Sequence, residues 1–265
     1  MVQQAVYAQK YLYIHKETTN KSFLDMHHFL RAKGIKNNDF FLVLLDPDLA
    51  GVDPRDPRLN MIMKQKIIRE VISNYWYFLR EVIRIPDAGG SVGGGKKYEL
   101  HRGNLAFNFC VALNLNIFYE LPRQQGKTTG VLARILWEFN YGSSNSKSLF
   151  FNKKHQDSKD NLQFMKDMRD ALPSYLRLNE MFDASGKRIN VKDNVETIQH
   201  TINGNRIITL PAARTRTNAA GLGRGKTAAR LWFDEYGWIP YNEEIYSAAI
   251  PAFSTAARNA KANGA

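Results

Sequence analysis

Two stretches of this 265-residue chain carry Gly-Lys-Thr, "ELPRQQGKTTG" at residues 120–130 and "GLGRGKTAAR" at residues 221–230. Glycine lets a backbone curl tightly, lysine supplies a cation and threonine a metal-binding hydroxyl, so the triplet suits a loop that grips phosphate. Alone it is a cheap signal, arising by chance in roughly one chain in seven of this length, so its flanks must decide. A phosphate loop needs a buried strand before it and a helix starting inside it, which aims backbone N–H groups and the helix N-terminus at the anion. The first stretch has that frame. "LNIFYEL" (115–121) reads as a short apolar strand, "PRQQGKT" as a turn, and "GKTTGVLARILWEFNYG" (126–142) as a helix closed by Gly142. The second stretch fails. "AARTRTNAA" before it is no apolar strand, and "ARLWFDE" (229–235) after it reads as a strand rather than a helix. Pro122, Arg123, Gln124, Gln125, Gly126, Lys127, Thr128 and Thr129 are therefore the candidate nucleotide-binding residues. Lys127 would reach the β/γ-phosphate oxygens and Thr128 the Mg²⁺.

Leu121 stands where the common phosphate-loop pattern expects its first glycine. Arg123, inside the loop, could contact the γ-phosphate from its own subunit and stabilise charge spreading in the transition state. A second element belongs with such a loop, an apolar strand running into acids, and "LWFDE" supplies it. Asp234 is placed to serve the metal, and Glu235 to orient and deprotonate an attacking water. Acids at the C-terminal end of a strand stand where α/β sheets bind ligands.

Between Glu196 and Asp234 the chain has no acid but six basic residues, Arg206, Arg214, Arg216, Arg224, Lys226 and Arg230. Three readings of this run stay open: a solvated loop, a DNA contact, or an arginine offered to a neighbouring subunit's nucleotide. Gly221, Gly223 and Gly225 surround Arg224 and are expected to give a mobile backbone that can reach outward.

The elements that must position these residues alternate strand and helix. "SLFFN" (148–152) is a strand, "QDSKDNLQFMKDMRDALPSYL" (156–176) an amphipathic helix, and "ETIQHTINGNRIITLPAA" (196–213) a hairpin turning at Asn203-Gly204. "NEEIYSAAIPAFSTAARNA" (242–260) returns to helix, interrupted at Pro251. This order predicts an α/β fold with a mainly parallel central sheet flanked by helices. Residues 1–97 read as a mostly helical N-terminal appendage or lid. It holds a helix around "FLDMHHFLRAKG" (23–34), an apolar run "FFLVLL" (40–45), a turn-rich stretch, and a long helix over 61–85 ended by Pro86. "DAGGSVGGGKK" (87–97), with five glycines, reads as a linker into a catalytic domain over 98–265. His27 and His28 adjoin on a helix, face different ways and lack metal-ligand spacing.

With 44% hydrophobic and 12% aromatic residues the chain can bury a full core. Its 37 basic and 25 acidic residues give a net charge of +12, which makes a polyanion such as nucleic acid a sensible partner. A single cysteine, Cys110, excludes an internal disulfide and suits a reducing cytoplasm. The most apolar run, residues 105–121, spans 17 residues and includes three Asn and a Glu, and the N-terminus has no secretory pattern. A soluble intracellular protein is expected, without a membrane partner.

"RQQGKTT", the strand-helix "SLFFNKKHQDSKDNLQFMKDMRDALPSYL" and the terminal "DE" of "LWFDE" resemble the ATPase domain of the large terminase subunit of tailed bacteriophages, over roughly residues 98–260. The resemblance implies an additional-strand, RecA-like P-loop fold and Mg²⁺-dependent ATP hydrolysis that drives double-stranded DNA into a prohead. It implies that Gly126 and Lys127 bind the phosphates, Thr128 and Asp234 serve the metal, and Glu235 is the catalytic carboxylate. It further implies that Arg123 acts in cis and that Arg224 is an arginine donated in trans around a homo-oligomeric ring. The implied partners are DNA, the portal protein and the small terminase subunit, in the host cytoplasm and transiently at the portal. In place of the family's adenine-contacting segment stands "YELHRGN" (98–104), where base recognition would fall to Tyr98 or Arg102. No Ser/Thr-rich coupling motif or nuclease acid cluster follows residue 235, so the ATPase portion alone is expected, without nuclease activity. Two alternatives share the motifs: a superfamily-2-like helicase or translocase, and a non-hydrolysing nucleic-acid-binding or assembly module on the same fold.

Overall fold

The apolar run at residues 40–45 is the centre of the first packing unit in the computed structural model, which describes residues 13–87, 95–122, 124–177, 185, 192–211, 213–223 and 228–262. Two units are distinguished: Met1–Trp137 with Asp167–Arg177, and Glu138–Lys166 with Leu178–Ala265.

In the first unit, β1 (Tyr13–Ile14) pairs antiparallel with β2 (Val43–Leu44), and Phe41, Leu42 and Leu44 are fully buried. Helix α1 (Lys21–Ala32) ends at Gly34, whose φ of +79° lets Ile35 N–H reach back to the Leu30 carbonyl. Helix α2 (Met61–Ser73) stops short of the expected 61–85. Its breaker is Asn74. The Asn74 side chain donates to Val43 O and Glu70, and accepts from Tyr77 N–H, so it restarts the chain as a new helical turn, Tyr75–Tyr77. A π-turn (Phe78–Val82) follows and carries fully buried Arg80, which donates to Glu81 and to the carbonyls of Phe41 and Val43. Burying that guanidinium is tolerable because these acceptors replace water.

The strands β3 (Arg84–Ile85) and β4 (Lys96–Lys97) pair antiparallel, which joins the two ends of the glycine-rich stretch; residues 88–94, the heart of the expected linker, lie outside the described residues. Helix α3 (Arg102–Ala112) starts with a capping box between His101 and Asn104. It ends in a Schellman turn at Asn114 (φ 57°), with Leu115 N–H on Cys110 O and Asn114 N–H on Val111 O. Helix α4 (Lys127–Trp137) buries Leu132, Ala133 and Leu136 completely. Trp137 Nε1–H donates to Val71 O at 2.8 Å and ties α4 to α2.

The second unit is built on a mixed four-stranded sheet. Strand β5 (Lys147–Phe151) runs parallel to both β7 (Arg206–Thr209) and β8 (Arg230–Phe233), and β6 (Thr197–Gln199) joins β7 antiparallel through the expected hairpin. Gly204 holds φ +72° in that turn, and a side chain there would meet Asn145 Oδ1 at 2.4 Å. The chain leaves β5 into α5 (His155–Asp170), and α6 (Arg216–Gly223) precedes β8. Helix α7 (Asn242–Ala262) runs through Pro251 without the expected interruption. The carbonyl deprived of its N–H partner is that of Ser247, which is exposed like Pro251, so water can serve it. Leu149, Phe151, Ile239, Ile245 and Ala219 form the core beneath the sheet. Among the described residues no helix is long and apolar enough to cross a membrane.

Candidate functional site

The expected strand at 115–121 does not form. Residues 115–122 join no sheet, and Leu115 and Phe118 are 54% and 81% exposed. A strand needs a ladder partner, and the Schellman turn releases this segment with its backbone unpaired by any strand. Side chains fix its far end instead: the Tyr119 ring packs on Phe107 with centroids 5.0 Å apart, and Leu121 lies against Gly103.

The turn that follows has the features of an anion loop. Gln124 and Gly126 both adopt left-handed backbone, φ 61° and 66°, and helix α4 starts at Lys127. The α4 first turn carries no acidic residue, so its unpaired N–H groups keep their positive end undiluted. A side chain at Gly126 would meet no atom within 4 Å, so the space over the loop is open. Lys127 Nζ turns back and donates to Leu121 O at 2.8 Å. Thr128 and Thr129 are half-buried, whereas Pro122, Gln124 and Gln125 are exposed. Arg123 lies outside the described residues.

Tight packing holds the helix behind the loop. Gly130 sits where an added Cβ would be 3.2 Å from the Tyr98 hydroxyl and 3.7 Å from Phe107. Tyr98 is 2% exposed, and its hydroxyl accepts from Asn108 Nδ2, which corrects the expectation that it reads a base. Arg102 is spent partly over the Phe29 ring, 5.5 Å from its centroid.

In the second unit the acid strand is as expected. Asp234 N–H donates to Phe151 O, which extends the β5–β8 ladder by one residue and fixes where the acid emerges. Phe151 and Phe233 stack at 4.6 Å, and Phe150 meets Trp232 edge-on at 4.8 Å, so the two strands cannot slide. Asp234 is half-buried, and its Oδ2 accepts from Asn152 Nδ2 at 3.4 Å and Asn161 Nδ2 at 3.3 Å. Glu235 is exposed and sits in left-handed backbone (φ 55°, ψ 48°). A non-glycine residue in that region is strained, and Trp238 N–H on Glu235 O at 2.8 Å helps hold it there.

The basic run divides by partner. Arg230 makes a bidentate pair with Glu138, at 3.0 and 3.1 Å, and Glu138 is buried; that carboxylate raises the guanidinium's pKa, so this arginine serves the structure. Arg216 pairs with Glu244 at 2.7 Å. Gly221 and Gly223 belong to α6, which corrects the expected mobile loop up to that point; Arg224 and Lys226 lie outside the described residues.

The residues suit the ligands expected of them. An open loop at an undiluted helix N-terminus, with one lysine whose acceptor is an exchangeable carbonyl, matches a triphosphate. Among the described residues no group of three or more His, Cys, Asp and Glu could hold a metal. Asn152, Asn161 and Ser158 were not singled out from sequence. The one available signal was an amide closing the apolar run "SLFFN".

Fold and site together define an α/β protein whose parallel strands end in an acid pair and whose chain also carries a glycine-lysine-threonine loop opening a helix. Residues 118–256, just over half of the chain, match the family model described as "Terminase large subunit, T4likevirus-type, N-terminal". The chain belongs to the large terminase subunit family, a family of DNA-packaging proteins. No curated protein matches it.

Proposed function

We propose that this chain hydrolyses ATP with Mg²⁺ and couples the cycle to translocation of double-stranded viral DNA into a prohead. The observation that carries this reading is the loop at 121–128, where left-handed Gln124 and Gly126 lead into an acid-free helix start and Lys127 is parked on a backbone carbonyl. The proposed fold is an additional-strand, RecA-like P-loop domain over 98–265, with residues 1–97 as an appendage.

Residue roles follow from chemistry. The loop amides and Lys127 bind the triphosphate, and Lys127 exchanges Leu121 O for phosphate oxygen. Thr128 and Asp234 hold Mg²⁺, which supplies charge neutralisation on the phosphates when bound. Glu235 aligns the attacking water and takes its proton. Arg123 in cis and Arg224 in trans are proposed to meet charge on the γ-phosphate. The +12 net charge supports a DNA partner. Portal protein, small terminase subunit and a homo-oligomeric ring, in the host cytoplasm and at the portal, complete the proposal on the strength of the family.

The test is turnover. ATP hydrolysis above background that requires Mg²⁺ and disappears in Lys127→Ala supports an ATPase. Nucleotide binding without hydrolysis would favour the assembly-module reading, and unwinding of a forked duplex would favour the helicase reading.

A further inference from the structure

Two acid-free runs of the sequence meet in the first unit. From Met26 to Asn38 the chain has no acidic residue but has Arg31, Lys33 and Lys36; from Leu100 to Tyr119 it again has none but has Arg102. Hydrogen bonds lay the second run along α1. Asn20 Nδ2 donates to Tyr98 O at 3.0 Å, and Ser22 Oγ accepts from Leu100 N–H at 2.9 Å. Lys33 Nζ and Arg102 Cζ then meet the same ring, 5.9 and 5.5 Å from the Phe29 centroid. Lys36 follows on a fixed corner. Gly34 turns the chain at φ +79°, and Asn38, fully buried, donates Nδ2 to His27 O at 2.9 Å. Residues 31–37 are all exposed, as is Arg102.

Stability alone does not account for this gathering of charge. Lys33 at the end of α1 suits the helix dipole, but Arg102 opens α3, where a helix favours an acid. Two cations around one ring also repel each other. The acids that flank the two runs do not cancel them. Asp39 is engaged by His27 at 3.0 Å and by Arg31 at 3.5 Å. Asp25, Glu99 and Glu120 are exposed, and among the described residues Lys33, Lys36 and Arg102 form no ion pair.

We infer that Lys33, Lys36 and Arg102 form a contact surface for the phosphates of double-stranded DNA, with Phe29 holding Lys33 and Arg102 side by side. This inference rests on the proposed DNA partner and says which side chains meet it. Exposed cations without carboxylate partners complement a polyanion, as does the net charge of +12. Contacts to the backbone release counterions and grip any sequence alike.

The experiment follows binding of a labelled mixed-sequence duplex by fluorescence anisotropy over a salt series, for the chain and for K33A, K36A, R102A, R102K and R58A. K33A, K36A and R102A should each weaken binding about eightfold at ~0.1 M salt, and lower the slope of log K against log salt by about 0.9. A second duplex of different sequence should give the same losses. R102K keeps the cation and should keep the slope. R58A removes an equally exposed arginine that is paired with Asp56, and should leave the slope unchanged. Melting temperatures equal to the parent's show that the variants fold. If the parent binds and K33A, K36A and R102A keep its slope, or if R58A loses as much as they do, the surface is overturned and the DNA partner stands. No salt-dependent binding by the parent itself would overturn both.

Discussion

Lys127 turns its ammonium back onto the Leu121 carbonyl, 2.8 Å away and six residues earlier in the chain. The contact closes the loop on itself and gives the cation an acceptor that a phosphate oxygen can replace at little cost, since one charge-assisted hydrogen bond is exchanged for a stronger one. Replacing Lys127 with Ala removes both. Hydrolysis should fall by at least a hundredfold and nucleotide affinity by tenfold or more, while the far-ultraviolet circular dichroism stays that of the parent. Turnover within a few-fold of the parent would remove Lys127 from the site.

Glu235 is exposed and held in left-handed backbone directly after the acid assigned to the metal. Glu235→Gln keeps the shape and removes the base. Nucleotide binding, followed by fluorescence of a labelled analogue, should stay within about threefold of the parent, while turnover drops by about a hundredfold or more. Normal hydrolysis would place the base elsewhere. Glu235→Gly should relieve backbone strain and raise the melting temperature even as activity is lost, a stability–activity trade expected of a strained functional position.

Gly130 makes a separate, structural prediction. Its added Cβ would lie 3.2 Å from the Tyr98 hydroxyl, which is buried and bonded to Asn108. Gly130→Ala should therefore destabilise the first unit by about 1–3 kcal/mol despite the better helix propensity of alanine. Tyr98→Phe in the same chain should recover part of that loss. A Gly130→Ala variant as stable as the parent would mean that α4 can shift freely on α3.

His200 should make the second unit acid-sensitive. Its ring is 1% exposed against Phe139, its Nδ1 accepts from the Ile202 and Asn203 N–H groups, and burial lowers its pKa from 6.5 to about 4. The folded value lies below the unfolded one, so the contribution is fully present above pH 6.5 and is lost as pH falls toward 4. The loss across that window amounts to up to about 3 kcal/mol. His200→Asn preserves an acceptor for the turn without a titrating proton, so its urea midpoint should change less between pH 7 and pH 4.5 than the parent's. Equal slopes would assign the acid sensitivity to other groups.

How much of this was legible beforehand depended on whether a local pattern sufficed. The β5 strand, the hairpin at Asn203-Gly204 and the acid strand β8 followed from apolar runs bounded by turn residues, because each closes its ladder on a neighbour of similar type. The segment at 115–121 has the same apolar texture yet no ladder, since pairing is a non-local matter that a single segment does not encode. The break at Asn74 was invisible for a related reason: its side chain caps the next turn and also reaches Val43, 31 residues away. Pro251 misled in the other direction, because a proline on a solvent face costs a helix only one bond that water can replace. For the site, lysine, glycine and the acid pair announce their chemistry, whereas Asn152 looks like an ordinary surface amide until the β5–β8 register sets it beside Asp234, and Asn161 until α5 brings it there.

The central proposal is that Lys127 binds the triphosphate of a Mg²⁺-bound nucleotide, and a structure of the chain with Mg²⁺ and a non-hydrolysable ATP analogue tests it most directly. The account predicts that Lys127 Nζ leaves the Leu121 carbonyl for the β/γ-phosphate oxygens. A bound analogue with Lys127 still on Leu121 would contradict it.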